Sequence, residues 1–136
     1  MLHLPFSHTV TLIIITVAIS LLAFSNQAVM NRLIFWPPAM QRGQYDRFIT
    51  HGFIHADGAH LLFNMITLFF FGNIIESFYR QFFYDMGFVL FYLGGLVFAI
   101  LPSYLKHRHD VHWASLGASG AVSAVLFAYI LFQPWN

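Results

Sequence analysis

The sequence contains no cysteine and has few charged residues. Lysine, arginine, aspartate and glutamate together make up 8% of the 136 residues, and the formal net charge is +1. Without cysteine, the chain can form neither a disulfide framework nor a thiolate metal site. Its few charges are scattered between apolar runs, so it also lacks the basic patch with which proteins hold nucleic acid. We therefore expect no nucleic-acid partner.

Apolar residues, by contrast, are abundant. They make up 59% of the sequence, and aromatic residues alone make up 19%. This composition is typical of an integral membrane protein. Four apolar segments approach the roughly 20 residues that a helix needs to cross a bilayer. The predicted spans run from about Leu4 or Thr9 to Phe24, from Gly58 to Phe78, from Phe83 to Leu101, and from Leu116 to Phe132.

These spans predict an all-α, polytopic helical bundle in contact with membrane lipids, in which Pro102 ends the third span. The connection from Ser25 to Asp57 is too apolar for a plain solvated loop. It holds Trp36, two prolines and three arginines among apolar residues. Tryptophan and arginine are common at the membrane surface, so we interpret this connection as short helices that lie at the interface or dip into it.

The basic residues are distributed unevenly among the loops. Only Arg80 lies in the second loop, whereas the first and third loops hold the other five, which are Arg32, Arg42, Arg47, Lys106 and Arg108. The positive-inside rule would place the first and third loops in the cytoplasm.

Topology brings three polar side chains to one side of the bundle. In an alternating bundle the second and fourth spans both start from the side of the first and third loops. The second span opens with Asp57 as its expected N-cap, and His60 and Asn64, four residues apart, share one helix face. Ser119 lies at a similar depth in the fourth span. Polar groups inside a span are costly, so their convergence indicates a functional site.

Each of these residues also has a purely structural interpretation. Ser119 lies in a run of glycine, alanine and serine from Gly117 to Ala124, the kind of face that lets two membrane helices approach closely. His60 and Asn64 could form an interhelical hydrogen bond that only holds the bundle together.

Several short motifs occur together along the chain. They are Arg47-Phe48-Ile49-Thr50-His51, then His55, then His60-Leu61-Leu62-Phe63-Asn64, then Gly72-Asn73-Ile74-Ile75-Glu76, and finally Gly117-Ala118-Ser119-Gly120. At these spacings the sequence resembles the rhomboid family of intramembrane serine proteases, and the resemblance covers most of the chain. It implies one rhomboid-like domain over residues 1–136, with about four of the family's six membrane helices and a partly embedded first loop.

The resemblance also implies an activity and a set of site residues. The expected reaction is hydrolysis of a peptide bond in or beside the transmembrane helix of a substrate protein, without a cofactor or metal. Ser119 would be the nucleophile in the Gly-x-Ser-Gly motif that Gly117 opens. His60 and Asn64, with the backbone N–H of Ser119, would form the oxyanion hole. The expected structural residues are Arg47, Glu76 and Gly120. The expected location is a bacterial inner membrane. The active site is expected to open to the outer face. This orientation places the basic first and third loops outside, in conflict with the positive-inside rule.

One departure from the family pattern is that no histidine follows Ser119. A serine hydroxyl needs a base, and the family supplies it from a histidine on helix six. We therefore expect residues 1–136 to be incomplete at the carboxyl end and inactive alone. His112 could be imagined as a substitute, but its charged loop favours a solvated role.

Two alternatives remain open at this point. The first is a proteolytically inactive rhomboid-like protein that binds transmembrane clients. The second is a metal or haem site, because imidazole is a good ligand and eight histidines are present. The candidates are His51 and His55, four residues apart, and the loop histidines His107, His109 and His112.

Overall fold

The computed structural model describes residues 7–82 and 86–132. Over these residues the chain is helical and contains no β-strand. In chain order the elements are α1 (His8–Ser25), α2 (Gln27–Leu33), α3 (Pro37–Met40), α4 (Arg47–Thr50), a 3-10 turn (His51–Phe53), α5 (Gly58–Phe82), α6 (Gly87–His107) and α7 (Ser119–Phe132). The predicted all-α fold is confirmed.

Three helices in the described residues are long and apolar enough to cross a membrane, and the chain is an integral membrane protein. They cover His8–Ser25, Gly58–Gln81 and Gly87–His107. The predicted starts of the first span at Leu4 and of the third span at Phe83 lie outside the described residues.

The fourth predicted span is shorter than expected. It was predicted from Leu116, but α7 begins at Ser119 and has 14 residues. The late start has a local cause, since Gly117 has a φ of +111°, which is incompatible with a right-handed helix.

The prediction that Pro102 ends the third span is wrong. Helix α6 continues through Pro102 to His107. A proline inside a helix removes one N–H donor and crowds the preceding turn, but membrane helices tolerate it where local adjustments satisfy the freed backbone groups. Pro102 lies on an exposed face of α6, so its ring displaces no packed neighbour.

Helix α7 packs against both α5 and α6. The buried core between them contains Leu68, Phe88, Tyr92, Leu96, Ala118, Ala121 and Val125. Small residues allow α6 to approach α7 closely, because a Cβ placed on Gly95 would lie 3.1 Å from the Cα of Ala121. A Cβ on Gly120 would clash with the Cβ of Ala99. The small-residue face predicted from the sequence therefore packs against α6.

Residues 26–57, which we call the first segment, form a folded layer of short helices. Asn26 caps α2 by accepting hydrogen bonds from the backbone N–H groups of Ala28 and Val29. Phe35 is fully buried in an aromatic cluster whose other members are Phe48, Tyr104 and Trp113. Phe35 and Ser115 exchange two backbone hydrogen bonds of 2.9 Å, which join the first segment to the loop before α7.

The guanidinium of Arg47 fixes the path of the first segment. Nη1 donates to the carbonyl oxygens of Asn31, at 3.1 Å, and Ile34, at 2.7 Å, and Nε donates to the side-chain oxygen of Gln44. Only 6% of Arg47 is exposed. These bonds connect Arg47 to three residues of the first segment.

The opposite end of the bundle is closed by the carboxylate of Glu76. Its oxygens accept hydrogen bonds from the backbone N–H groups of His8 and Thr9, both at 2.8 Å, and from the Thr9 hydroxyl at 2.7 Å. Arg80 pairs with the same carboxylate at 2.7 Å. Glu76 thus caps the start of α1 and ties it to α5.

Candidate active site

The loop that leads into α7 is fixed by a positive-φ glycine. Gly117 adopts a φ of +111° and donates its N–H to the carbonyl oxygen of His51 at 2.8 Å. A residue with a Cβ would be strained in this conformation. The imidazole Nε2 of His51 in turn bonds to the carbonyl oxygen of Leu96 at 3.2 Å, so the 3-10 turn connects the loop to α6.

His55 fixes the next residue of the same loop. The Ser20 hydroxyl donates to the carbonyl oxygen of Phe53 at 2.8 Å, so it can only accept from Nδ1 of His55, 3.1 Å away. Nδ1 therefore carries the proton, and Nε2 accepts the backbone N–H of Ala118 at 3.2 Å. A neutral ring is required for this arrangement. It is favoured by burial, which lowers the pKa of His55 from 6.5 to about 4, with a smaller contribution from His60.

Ser119 follows directly as the first residue of α7, with an exposed side chain. It borders a pocket of about 220 Å³, which we call the Ser119 pocket. The lining residues are His55, Ala56, His60, Asn64, Leu116, Gly117 and Ser119. Within residues 7–82 and 86–132, no hydrogen bond engages the Ser119 hydroxyl or the Asn64 amide. These groups are therefore accessible to a ligand.

Asp57 positions the ring of His60. One carboxylate oxygen, Oδ1, accepts both the backbone N–H of His60 and its ring Nδ1–H, each at 2.9 Å. These bonds make Asp57 the N-cap of α5, as predicted, and the backbone bond is the main reason that the pKa of Asp57 is lowered. Because an ionised carboxylate only accepts hydrogen bonds, Nδ1 donates, and Nε2 is left for the pocket.

A second, smaller pocket of about 140 Å³ lies on the α6 side of Ser119. Its lining includes His51, Ser103 and Ser115 as well as Ser119. The ring nitrogen Nδ1 of His51 is buried and has no hydrogen-bond partner among the described residues. Ser119 therefore stands between two cavities that both carry polar groups.

Comparison with protein families adds the deciding observation. The family model described as the Rhomboid domain matches residues 42–136, which is more than half of the chain. The chain belongs to the rhomboid family.

Curated relatives agree with this assignment. RHOMBOID-like protein 12, mitochondrial, of Arabidopsis thaliana is 32% identical over 123 residues, which cover 82% of this chain and 36% of that protein. Rhomboid protease GlpG of Enterobacter sp. (strain 638) is 29% identical over 126 residues, covering 90% of this chain and 41% of that protein. Rhomboid protease GlpG of Klebsiella pneumoniae (strain 342) is 28% identical over 124 residues, with the same two coverages. This rhomboid chain spans about two fifths of the length of the curated relatives that it matches.

The rhomboid fold brings together four of the residues singled out from the sequence. Ser119, His60, Asn64 and Gly117 line one pocket. Gly120 packs against Ala99 of α6 and also lines the smaller pocket beside Ser119.

Two positioning residues of the rhomboid site, His51 and His55, were not predicted as part of it. Their i, i+4 spacing suggested metal ligands, whereas the structure uses them to hold the loop before Ser119. Among the described residues, no three histidine, aspartate or glutamate side chains come together as a metal site would require. His112 has an exposed side chain and lines neither pocket beside Ser119.

Proposed function

We propose that this rhomboid is an intramembrane serine endopeptidase in which Ser119 attacks a peptide bond in or beside a substrate's transmembrane helix. The observation that carries the proposal is the Ser119 pocket, where a hydroxyl, an imidazole and a carboxamide border one cavity. The Ser119 hydroxyl and the Asn64 amide have no hydrogen-bond partner in the described part of the chain. Both groups can therefore bond to a ligand that enters the pocket.

In the proposed reaction, the Ser119 Oγ forms a bond to the carbonyl carbon while its proton passes to a base. The carbonyl oxygen becomes an oxyanion. The proposed donors are the backbone N–H of Ser119, the amide of Asn64 and the imidazole of His60, which donates from Nε2 only when both of its ring nitrogens carry a proton, because Nδ1–H is bonded to Asp57. A single such donor is worth about 2.7 to 4 kcal/mol of transition-state stabilisation. The start of α7 adds the positive end of a helix dipole.

The leaving amine then takes a proton, and water hydrolyses the acyl-enzyme. The base is assigned to neither His55, which is engaged by Ser20 and Ala118, nor His60, which is paired with Asp57. The proposed location is a bacterial inner membrane, which the relatives named GlpG support.

The deciding experiment uses protein expressed from the complete gene, reconstituted with a transmembrane reporter. Ser119→Ala should lower cleavage at least about a thousandfold, because the nucleophile is lost. Ser123→Ala is the matched control, since Ser123 is also an exposed serine on α7, one helical turn away. It should cleave like the wild type. Only proteins that retain Ser119 should react with a fluorophosphonate.

Cleavage that survives Ser119→Ala would refute the assignment. The alternative candidate function is that of a client-binding rhomboid-like protein without protease activity. It would appear as reporter that co-purifies uncut with the wild type and with Ser119→Ala alike.

A further inference from the structure

A cavity that the proposed activity does not use is lined mainly by residues of the first segment. It has a volume of about 490 Å³ and is lined by Asn31, Ile34, Trp36, Arg47 and Ala114. This volume falls within the roughly 300 to 1,000 Å³ typical of small-molecule sites. We call it the first-segment pocket. It does not include Ser119, His60 or Asn64.

Arg47 contributes a charged group with unused hydrogen-bond donors to this pocket. Its structural bonds involve Nε and Nη1 and leave Nη2 without a hydrogen-bond partner among the described residues. Nη2 is not one of the buried unpaired atoms, so it is accessible to an acceptor that enters the pocket. Burial, and after it the positive charge of Arg32, lowers the pKa of Arg47, so an anion beside it would be favoured.

The surroundings of the pocket are positively charged. Arg42 lies over the ring of Trp36, with its Cζ 5.7 Å from the ring centroid. Arg32 pairs with Asp46 at 3.0 Å. The charged groups near Arg47 are thus two further arginines, Arg32 and Arg42, and one carboxylate, Asp46. The local charge is complementary to an anion.

The remaining walls of the pocket are mostly apolar. Ile34, Ala114 and the indole of Trp36 line the pocket, and the indole N–H donates to the carbonyl oxygen of Val111 at 2.8 Å, which fixes the ring. Tryptophan and arginine are typical of the membrane surface. A site with one cationic donor group and an apolar wall suits an amphiphile better than a free anion.

We propose that the first-segment pocket binds the headgroup of an anionic phospholipid, with its phosphate on Nη2 of Arg47 and its glycerol backbone along Trp36 and Ile34. Arg42 adds long-range attraction from the rim. Lipid binding here would brace the first segment against the loop that leads to Ser119. The proposal stands apart from the protease activity, because no residue of the Ser119 pocket takes part in it.

The test measures lipid retained by the detergent-purified protein, using native mass spectrometry with added phosphatidylglycerol, phosphatidylcholine or inorganic phosphate. The wild type should retain phosphatidylglycerol in preference to phosphatidylcholine. Ala114→Phe should fill the pocket without a charge change and remove that preference. Arg42→Gln should weaken phosphatidylglycerol binding about fivefold, as expected for one basic residue near a lipid surface. Arg47 itself is left intact, because replacing it would also release the first segment.

Lys106→Gln is the charge-matched control, since Lys106 is an exposed cation that does not line the pocket. It should bind phosphatidylglycerol like the wild type, and all three variants should keep the wild-type unfolding midpoint. Equal retention by Ala114→Phe and the wild type would overturn the proposal. So would an equal loss in Lys106→Gln and Arg42→Gln, or displacement of the lipid by equimolar inorganic phosphate.

Discussion

The two ends of the bundle use polar residues in opposite ways. At the Glu76 end, a carboxylate that is 2% exposed receives four hydrogen bonds, from His8, Thr9 and Arg80. At the Ser119 end, the hydroxyl and the Asn64 amide border an open pocket and have no hydrogen-bond partner among the described residues. Both clusters lie at helix ends. Of the two, only the Ser119 cluster has polar groups that border a pocket and can form hydrogen bonds with a ligand.

The difference shows why a polar residue in a membrane helix is not by itself a sign of chemistry. Polar groups in an apolar surrounding must find partners, and a complete set of partners gives an anchor. Where the backbone is held rigidly by other groups, as His51 and His55 hold the loop before Ser119, nearby side chains can be left unsatisfied. That combination of a fixed loop and free side chains is what a catalytic site needs.

The largest effect on stability should come from the Glu76 end. Glu76→Ala removes the acceptor for the buried Thr9 N–H and hydroxyl, and each buried donor left unpaired costs about 1 to 3 kcal/mol. We expect the free energy of unfolding to fall by about 3 kcal/mol, measured by denaturant titration in detergent. Glu76→Gln keeps one acceptor oxygen and should lose less. If the two variants behave alike, hydrogen-bond acceptance by Glu76 is not what anchors α1.

A smaller, pH-dependent effect is expected at the Ser119 end. The pKa of His55 is about 4 in the folded protein and 6.5 for the free side chain, so the unfolded chain binds the extra proton first. Stability is therefore full above pH 6.5 and is lost as the pH falls towards 4. Between pH 7.5 and pH 5 the loss from this residue should be about 2 kcal/mol.

Thermal unfolding at several pH values measures this loss, and His55→Gln should flatten the pH profile. His112→Gln, which changes an exposed imidazole in the α6–α7 loop, serves as its control and should leave the profile unchanged. A profile that stays as steep in His55→Gln as in the wild type would assign the pH dependence to other groups, of which His51 is the first candidate because burial also lowers its pKa.

The smallest effect is expected from an ion pair in the first segment. Arg32 and Asp46 pair at 3.0 Å, but their side chains are 47% and 51% exposed. Exposed pairs contribute about 0.2 to 1 kcal/mol, so Arg32→Gln should lower the free energy of unfolding by less than about 1 kcal/mol, and less still at high salt. The same denaturant titration applies. A loss as large as that of Glu76→Ala would contradict the contrast between the two ends.

The convergence of Ser119, His60 and Asn64 could be predicted because it depends on local rules. Helix periodicity places His60 and Asn64 on one face, and the alternation of spans places Ser119 at the same side. The identity of the short motifs then indicated the family. The boundaries of α5 and α6 were less predictable, because continuation to Phe82 and through Pro102 depends on the surroundings of each helix.

The contacts that position the site could not be predicted in the same way. The hydrogen bond from Ala118 to His55 joins residues 63 positions apart, and Thr9 and Glu76 are separated by 67 positions. No periodicity within one helix encodes such pairs. They follow from the packing of α1, α5 and the loop before α7, which is known only once the bundle is assembled.

The paired backbone bonds between Phe35 and Ser115 couple the first segment to the stretch that ends, four residues later, at Ser119. A small molecule that bound between these two segments and broke the paired bonds would shift Ser119 without contacting it. The Phe35–Ser115 contact is therefore a candidate ligand target that is remote from the Ser119 hydroxyl.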